Sequence, residues 1–240
     1  GAGALGPWRA AERRTADVRR AAGQPAGSGP GHIKINFFCH RQREPDPAEE
    51  QRWREALAPY YAEFGVDARA VTTAPGRAPF NAEHAAMLGE FRPAVVSFHF
   101  GLPAPELLAR VKATGASVFA SATTVAEAQW LARHGADAII AQGLEAGGHR
   151  GHFLSQDLRL QQGTFTLLPQ IVAAVDLPVI AAGGIVDGKG IKAALALGAS
   201  AVQMGTAFLC CHEATTSPLH RAALQVAHGQ HTALTNLFSG

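Results

Sequence analysis

Near-continuous apolar runs recur along the chain, separated by stretches whose apolar positions repeat every three or four residues. The runs 33–40, 94–100, 117–121, 138–143, 178–184 and 201–208 predict strands buried on both faces. A weaker run covers 4–8. Trp53, Leu57, Tyr60 and Phe64 fall at helical spacing, with Pro59 expected to kink that segment. Leu107, Leu108 and Val111 form a second helical stripe, Val125, Ala128 and Leu131 a third, and Ile191, Ala194 and Leu195 a fourth. The stretches 71–80 and 149–164 show no period and predict long loops, which in a compact domain are often functional.

A short internal repeat supports this parsing. Gly115-Ala116, Gly135-Ala136 and Gly198-Ala199 each close a helical stretch and precede a strand, where glycine suits a left-handed helix cap. Helix, Gly-Ala, strand is the grammar of a β/α protein, either a doubly wound sheet or a (β/α)8 barrel. Seven strands can be placed, one fewer than a barrel needs, and the chain opens on Gly-Ala-Gly-Ala without methionine. The expectation is therefore an α/β fold, a (β/α)8 TIM barrel lacking its first strand, in one domain over residues 1–240.

Composition narrows the partners. Hydrophobic residues are 47% and charged residues 17% of the chain, which excludes a disordered polymer. The net charge is +2, from 21 basic and 19 acidic residues, and no basic stripe alternates with aromatics, so no nucleic acid is expected. The basic cluster Arg9, Arg13, Arg14, Arg19 and Arg20 reads as one solvated helix face, followed by a loop at 23–31. Cys39, Cys210 and Cys211 form no disulfide framework or zinc spacing, and a cytoplasmic location is expected. No apolar run approaches the ~20 residues of a membrane span, so no membrane partner is expected.

Candidate chemistry lies at strand ends. Ala-Ala-Gly-Gly-Ile (181–185) closes one strand, Asp187 can cap the next helix, and Gln-Met-Gly-Thr (203–206) closes the following strand. In a barrel these are the last two strand-end loops, where backbone N–H groups commonly hold a phosphate. Gly183, Gly184 and Gly205 allow close approach and Thr206 adds a hydroxyl. Paired glycines also make ordinary tight turns; two such pairs on adjacent strands favour phosphate binding.

The run Gln-Gly-Leu-Glu-Ala-Gly-Gly-His-Arg-Gly (142–151) reaches the same rim. Gln142 could bond a heterocycle edge, Gly147 and Gly148 could lie flat on a ring, and His149 is placed as a general base or donor. A lone loop histidine is otherwise a solvated or capping residue. Asn36 is polar within a buried strand and needs a partner, either a ring or neighbouring backbone. Ser97 and His99 share one strand face, and His99 is a candidate substrate contact or a satisfied core histidine. His149 and His152 lack companions for a metal site, and neither a nucleophile elbow nor a Rossmann fingerprint occurs.

Four segments together, Asn-Phe-Phe (36–38), 142–151, 181–185 and 203–209, resemble the nitronate monooxygenase family, also called 2-nitropropane dioxygenases. The resemblance runs from about Gly3 onward. It implies a TIM-type barrel with noncovalent FMN, contacted by Asn36, Gln142, Gly147, Gly183, Gly184, Gln203, Met204, Gly205 and Thr206, with His149 catalytic. The implied reaction is oxidation of an alkyl nitronate by O2 to a carbonyl compound and nitrite. Some relatives also accept a neutral nitroalkane, where the histidine would remove the α-proton. The expected partners are that small substrate and O2, with a homodimer the assembly considered. The family's Ala-Pro-Met first strand is absent, and its members continue past 236–240, so a C-terminal segment is also expected to be missing. The competing readings are another FMN barrel, such as a flavin-type enoyl-acyl-carrier-protein reductase, and a non-catalytic truncated barrel.

Overall fold

Seven strands lie parallel in one sheet whose spatial order is their chain order, β1 to β7. The computed structural model describes residues 8–9, 34–42, 46–67, 70, 78–226 and 232–236. The strands are β1 (Trp8–Arg9), β2 (Lys34–Phe38), β3 (Val95–His99), β4 (Ser117–Ala122), β5 (Ala138–Gln142), β6 (Val179–Ala182) and β7 (Ala201–Gln203). A doubly wound sheet would reverse its strand order at a switch point. This sheet does not, and among the described residues no ladder joins β7 to β1. The chain therefore forms a partial barrel, in agreement with the expected class.

The described helices are α1 (Pro47–Glu63), α2 (Ala82–Phe91), α3 (Pro105–Ala113), α4 (Val125–Arg133), α5 (Thr164–Ala174), α6 (Gly188–Ala196) and α7 (Pro218–Gln225). Asp46, Asn81, Thr124, Asp187 and Ser217 cap the amino ends of α1, α2, α4, α6 and α7. Each side chain accepts a backbone N–H that the helix leaves over.

Alternation along each strand sorts the residues between two faces. Ile139 and Ala141 of β5 pack with Ala128 and Leu131 of α4 and Leu167, Leu168 and Ile171 of α5 in a core outside the sheet. A second outer core joins Ile35, Phe37, Val96 and Phe98 to Leu88 of α2 and Val111 of α3. Each such fully buried aliphatic or aromatic side chain contributes roughly 1.5–3 kcal/mol. The inner face carries Ala138, Ile140, Ile180 and Ala182 with Phe119.

Several expected elements shift. The run 201–208 yields only three strand residues, because Gly205 turns the chain into a 3-10 turn at Thr206–Phe208. Helix α1 continues through Pro59, and its predicted stripe is open, with Trp53 48%, Tyr60 58% and Phe64 73% exposed. Helices α2, α5 and α7 have no counterpart in the predicted stripes. Helix α5 is apolar nearly all round and contains Pro169, which hides its period. Helix α2 buries only Ala85 and Leu88. The run 4–7, the basic cluster from Arg13 to Arg20, the loop 23–31 and residues 71–77 lie outside the described residues.

Candidate active site

Inward-facing strand positions supply the floor of the site. Lys34, Asn36 and Phe38 alternate on β2, and β3 places Ser97 beside Asn36 and His99 beside Phe38. Ser97 Oγ donates to Asn36 Oδ1 at 2.8 Å, so the half-buried amide oxygen has a side-chain partner. Lys34 is 5% exposed, and its ammonium donates to Gln203 Oε1 at the end of β7. Burial without a carboxylate partner among the described residues lowers the Lys34 ammonium to about 8.

The segment after β5 carries His149 and is held from four sides. Gln142 Nε2 donates to the His149 carbonyl at 2.9 Å, while Gln142 Oε1 accepts from Gly151 N at 2.8 Å. The sequence suggests a ring edge for Gln142; in the fold its amide braces the histidine loop. His99 Nε2 also approaches the His149 carbonyl, at 3.0 Å. A carbonyl only accepts, so Nε2 carries the proton. Burial pushes the His99 imidazole down to about 4, so the ring is neutral near pH 7. Arg150 donates to the carbonyls of Gly143, at 2.5 Å, and Gln142, tying the loop to the end of β5.

Two carboxylates complete the bracing, and neither stands out in the sequence. Glu127, 1% exposed in the first turn of α4, accepts from Thr123 N and Oγ1 at 2.7 and 2.8 Å. Its other oxygen accepts from Phe153 N at 2.6 Å and Leu154 N at 3.2 Å. The Thr124-to-Glu127 spacing does resemble a capping box, but that signal foretells a helix cap, not a tether on a distant loop. Glu145 accepts from Thr164 N and Oγ1, both at 2.8 Å, and Thr164 Oγ1 also contacts the Gly183 carbonyl at 3.0 Å. Burial alone would raise the Glu145 carboxyl; hydrogen bonds from its own backbone N–H and from Thr164, with Arg150 nearby, carry it below the ordinary carboxylate value.

The turns after β6 and β7 differ in character. Gly183 and Gly184 have φ of 127° and 65°, and a Cβ on Gly183 would stand 2.6 Å from Thr164 Oγ1 and 3.0 Å from Ala146 N. These glycines thus pack beneath the β5 loop as well as edging the rim. A Cβ on Gly147 would stand 3.0 Å from Thr206 Oγ1, so the β5 and β7 loops meet, whereas a Cβ on Gly205 would enter open space. Among the described residues no acceptor occupies the N–H groups of Gly183, Gly184, Gly205 or Thr206. Met204 lies between these groups and β7, packed at the edge of the outer core.

Aromatic rings surround His149. Its ring centroid lies 5.1 Å from Phe38 and 6.1 Å from Phe100, both edge-to-face. Phe100 has φ 66°, a conformation that costs a bulky residue about 1–3 kcal/mol. The fold thus brings Asn36, His99, Gln142, Gly147, His149, Gly183, Gly184, Gln203, Met204, Gly205 and Thr206 to the inner face or the carboxyl rim of one sheet. No described helix is long and apolar enough to cross a membrane.

Comparison with known proteins agrees with this arrangement. The nitronate monooxygenase family model matches residues 2–240. A nitronate monooxygenase of Pseudomonas aeruginosa is 44% identical over 216 residues, covering 87% of this chain and 60% of that protein. One from Paraburkholderia phytofirmans is 44% identical over 215 residues, covering 87% of this chain and 57% of its own. The chain thus spans about six-tenths of the length of these curated relatives. A nitroalkane oxidase from Streptomyces ansochromogenes superposes with a TM-score of 0.72 at 36% identity, over 83% of this chain and 57% of its own. FabK from Thermotoga maritima follows at TM-score 0.59 and 28% identity, over 89% of this chain and 53% of its own. With a family match over residues 2–240 and 44% identity to a nitronate monooxygenase over 216 residues, the chain belongs to the nitronate monooxygenase family.

Proposed function

We propose that the protein binds FMN and oxidises alkyl nitronates with O2 to a carbonyl compound and nitrite. The observation that carries this reading is the pairing of a histidine loop braced from β3, β5 and α4 with two adjacent turns whose N–H groups lack acceptors among the described residues. Four such donors and the Thr206 hydroxyl fit one phosphate. Gly183, Gly184, Gly205 and Thr206 would hold that phosphate. Asn36, Gln203 and Met204 would line the ring, Gly147 would let backbone approach it, and Gln142 would act mainly by shaping the loop.

Bound FMN would supply the electron acceptor for the substrate carbon, with O2 as the terminal oxidant. The chain's own contribution is to orient the substrate and to move a proton. His149 sits beside the Phe38 and Phe100 rings, where a substrate α-carbon would lie against apolar surface. With a neutral nitroalkane its imidazole would take the α-proton; a preformed nitronate needs no such step. His99, committed through Nε2 to the His149 carbonyl, keeps that loop in place. A reducing cytoplasm suits Cys39, Cys210 and Cys211, all free thiols, and a homodimer is the assembly to test by sedimentation.

The test is the visible spectrum of the purified protein, followed by heat release and chromatography of its cofactor. FMN is expected, and anaerobic mixing with a nitronate should bleach it within the turnover time, while NADPH should not. Rapid bleaching by NADPH alone would replace this reading with a reductase. A colourless protein that takes up no FMN would end both.

A further inference from the structure

Among the described residues other than glycine, only Arg92 and Phe100 have positive φ. Arg92 ends helix α2 as a left-handed cap, a common place for that conformation. Phe100 ends no helix. It directly follows β3 and precedes Gly101, whose φ is 91°. The two-residue turn is locked from beneath: a Cβ on Gly101 would stand 3.3 Å from the Phe153 ring. Phe153 is itself fixed by its N–H on Glu127 at 2.6 Å and by an edge contact with Trp130 at 5.2 Å.

The strain is not offset by deep burial, because Phe100 is only half-buried whereas Phe98, two residues earlier, is fully enclosed. What the conformation does is aim the ring at the rim. Its centroid stands 4.7 Å from His99, 5.4 Å from Phe38 and 6.1 Å from His149. Phe38 approaches the same imidazole at 5.1 Å. Two phenyl rings thus flank the group that addresses the substrate carbon, and backbone strain at such a place points to function.

We propose that Phe100 is a specificity-determining residue whose ring, with that of Phe38, forms the apolar wall receiving the alkyl substituent of the nitronate. The inference rests on the reading of His149 as the catalytic base. A rigid ring pinned by a strained turn sets a fixed distance from imidazole to wall, so it selects for short substituents. Truncating it opens room for longer ones.

The test compares kcat/KM for ethylnitronate and hexylnitronate in the flavin-loaded enzyme, its Phe100→Ala and Phe100→Leu variants. The hexyl-to-ethyl ratio should rise by about tenfold or more in Phe100→Ala and by less in Phe100→Leu, with flavin content unchanged. Ratios within about twofold of the parent in both variants would overturn the proposal. Failure of the parent enzyme to oxidise either nitronate would instead overturn the functional reading beneath it. Melting temperatures give an independent readout: Phe100→Gly should melt above Phe100→Ala, since only glycine accepts φ 66° freely. The reverse order would show that Phe100 is not strained and overturn the pinned wall.

Discussion

The loop after β5 and the turns after β6 and β7 share one rim yet are built in opposite ways. In residues 143–163, side chains of Gln142, His99, Arg150 and Glu127 hold the Gly143 and His149 carbonyls and the Gly151, Phe153 and Leu154 N–H groups, and Glu145 accepts from Thr164 N. At Gly183–Gly184 and Gly205–Thr206, among the described residues, the backbone donors have no protein acceptor. One region is held largely by the protein's own side chains, and in the other the proposed phosphate would complete the donors. A group that must act on a reacting atom works best when already oriented, because ordering it during the reaction would cost entropy. A region that holds an anion needs donors kept available.

The sharpest way to break this contrast is at the histidine. His149→Asn should lower kcat/KM for a neutral nitroalkane by about 10²–10⁴-fold, while the matching nitronate loses much less. Flavin content should barely change, because the phosphate donors belong to other turns. Equal losses on both substrates would move His149 from proton transfer to substrate orientation.

Next in size is the brace itself. Glu127→Ala strands four donors, of which Thr123 N, Phe153 N and Leu154 N are backbone groups. The variant should lose about 3 kcal/mol in urea unfolding. It should also lose hydrogen-exchange protection at residues 151–155 before the strands open. Unchanged exchange there would mean that the loop is held by other contacts.

Lys34 offers a test of opposite sign. Folding lowers its ammonium from the ordinary 10.5 to about 8, so the unfolded chain binds more protons between those values. Stability should therefore rise with pH across that window, with the penalty fully present below about pH 8. At about 1.4 kcal/mol per pH unit the gap caps the effect at about 3.5 kcal/mol, and about 1–2 is expected. Lys34→Met should be more stable than the parent at pH 7, and its stability should be flat from pH 8 to 10. A destabilised variant would mean that the ammonium is compensated within the lumen.

The smaller effects sharpen the open side of the rim. Gly184→Val must leave φ 65° and press on Glu145, 3.3 Å from the added Cβ, so flavin retention should weaken about tenfold. Gly115→Ala meets nothing within 4 Å and should cost only about 1 kcal/mol of stability with retention unchanged. Equal flavin occupancy in the two would detach Gly184 from the ligand. Burial pushes the Cys39 thiol up to about 12, so alkylation at pH 8 should spare it until the protein unfolds.

Most strands are legible in the sequence as short β-rich runs with an apolar outer face, even where inner positions such as Lys34, Asn36, Ser97 and His99 are polar. Their ends are not: 201–208 is largely apolar, yet the turn at Gly205 removes its second half from the sheet. Helix α5 is hidden because Leu167, Leu168 and Ile171 stand among other apolar residues and Pro169, leaving only Thr166 and Gln170 to mark its exposed face. In the site, glycine pairs at strand ends mark the rim residues. Their partners carry no such mark: Gln142 reads as a ring contact, but its amide reaches the His149 carbonyl and Gly151 first.

What the sequence determined alone was local and additive: strand-forming runs, helix caps such as Asp187, glycines where φ turns positive, and a histidine in a glycine frame. These depend on a residue and its near neighbours, so chain order suffices to reveal them. Tertiary structure decided what depends on approach between distant segments. It chose the sequential strand order over a reversed one, which spacing alone could not do. It brought Glu127 to Phe153, 26 positions away, and His99 to the His149 carbonyl, 50 positions away. It also made Lys34 a buried cation by closing strands over it, although its own neighbours along the chain are ordinary. Hydrogen bonding and desolvation act through space, and only the folded chain specifies those distances.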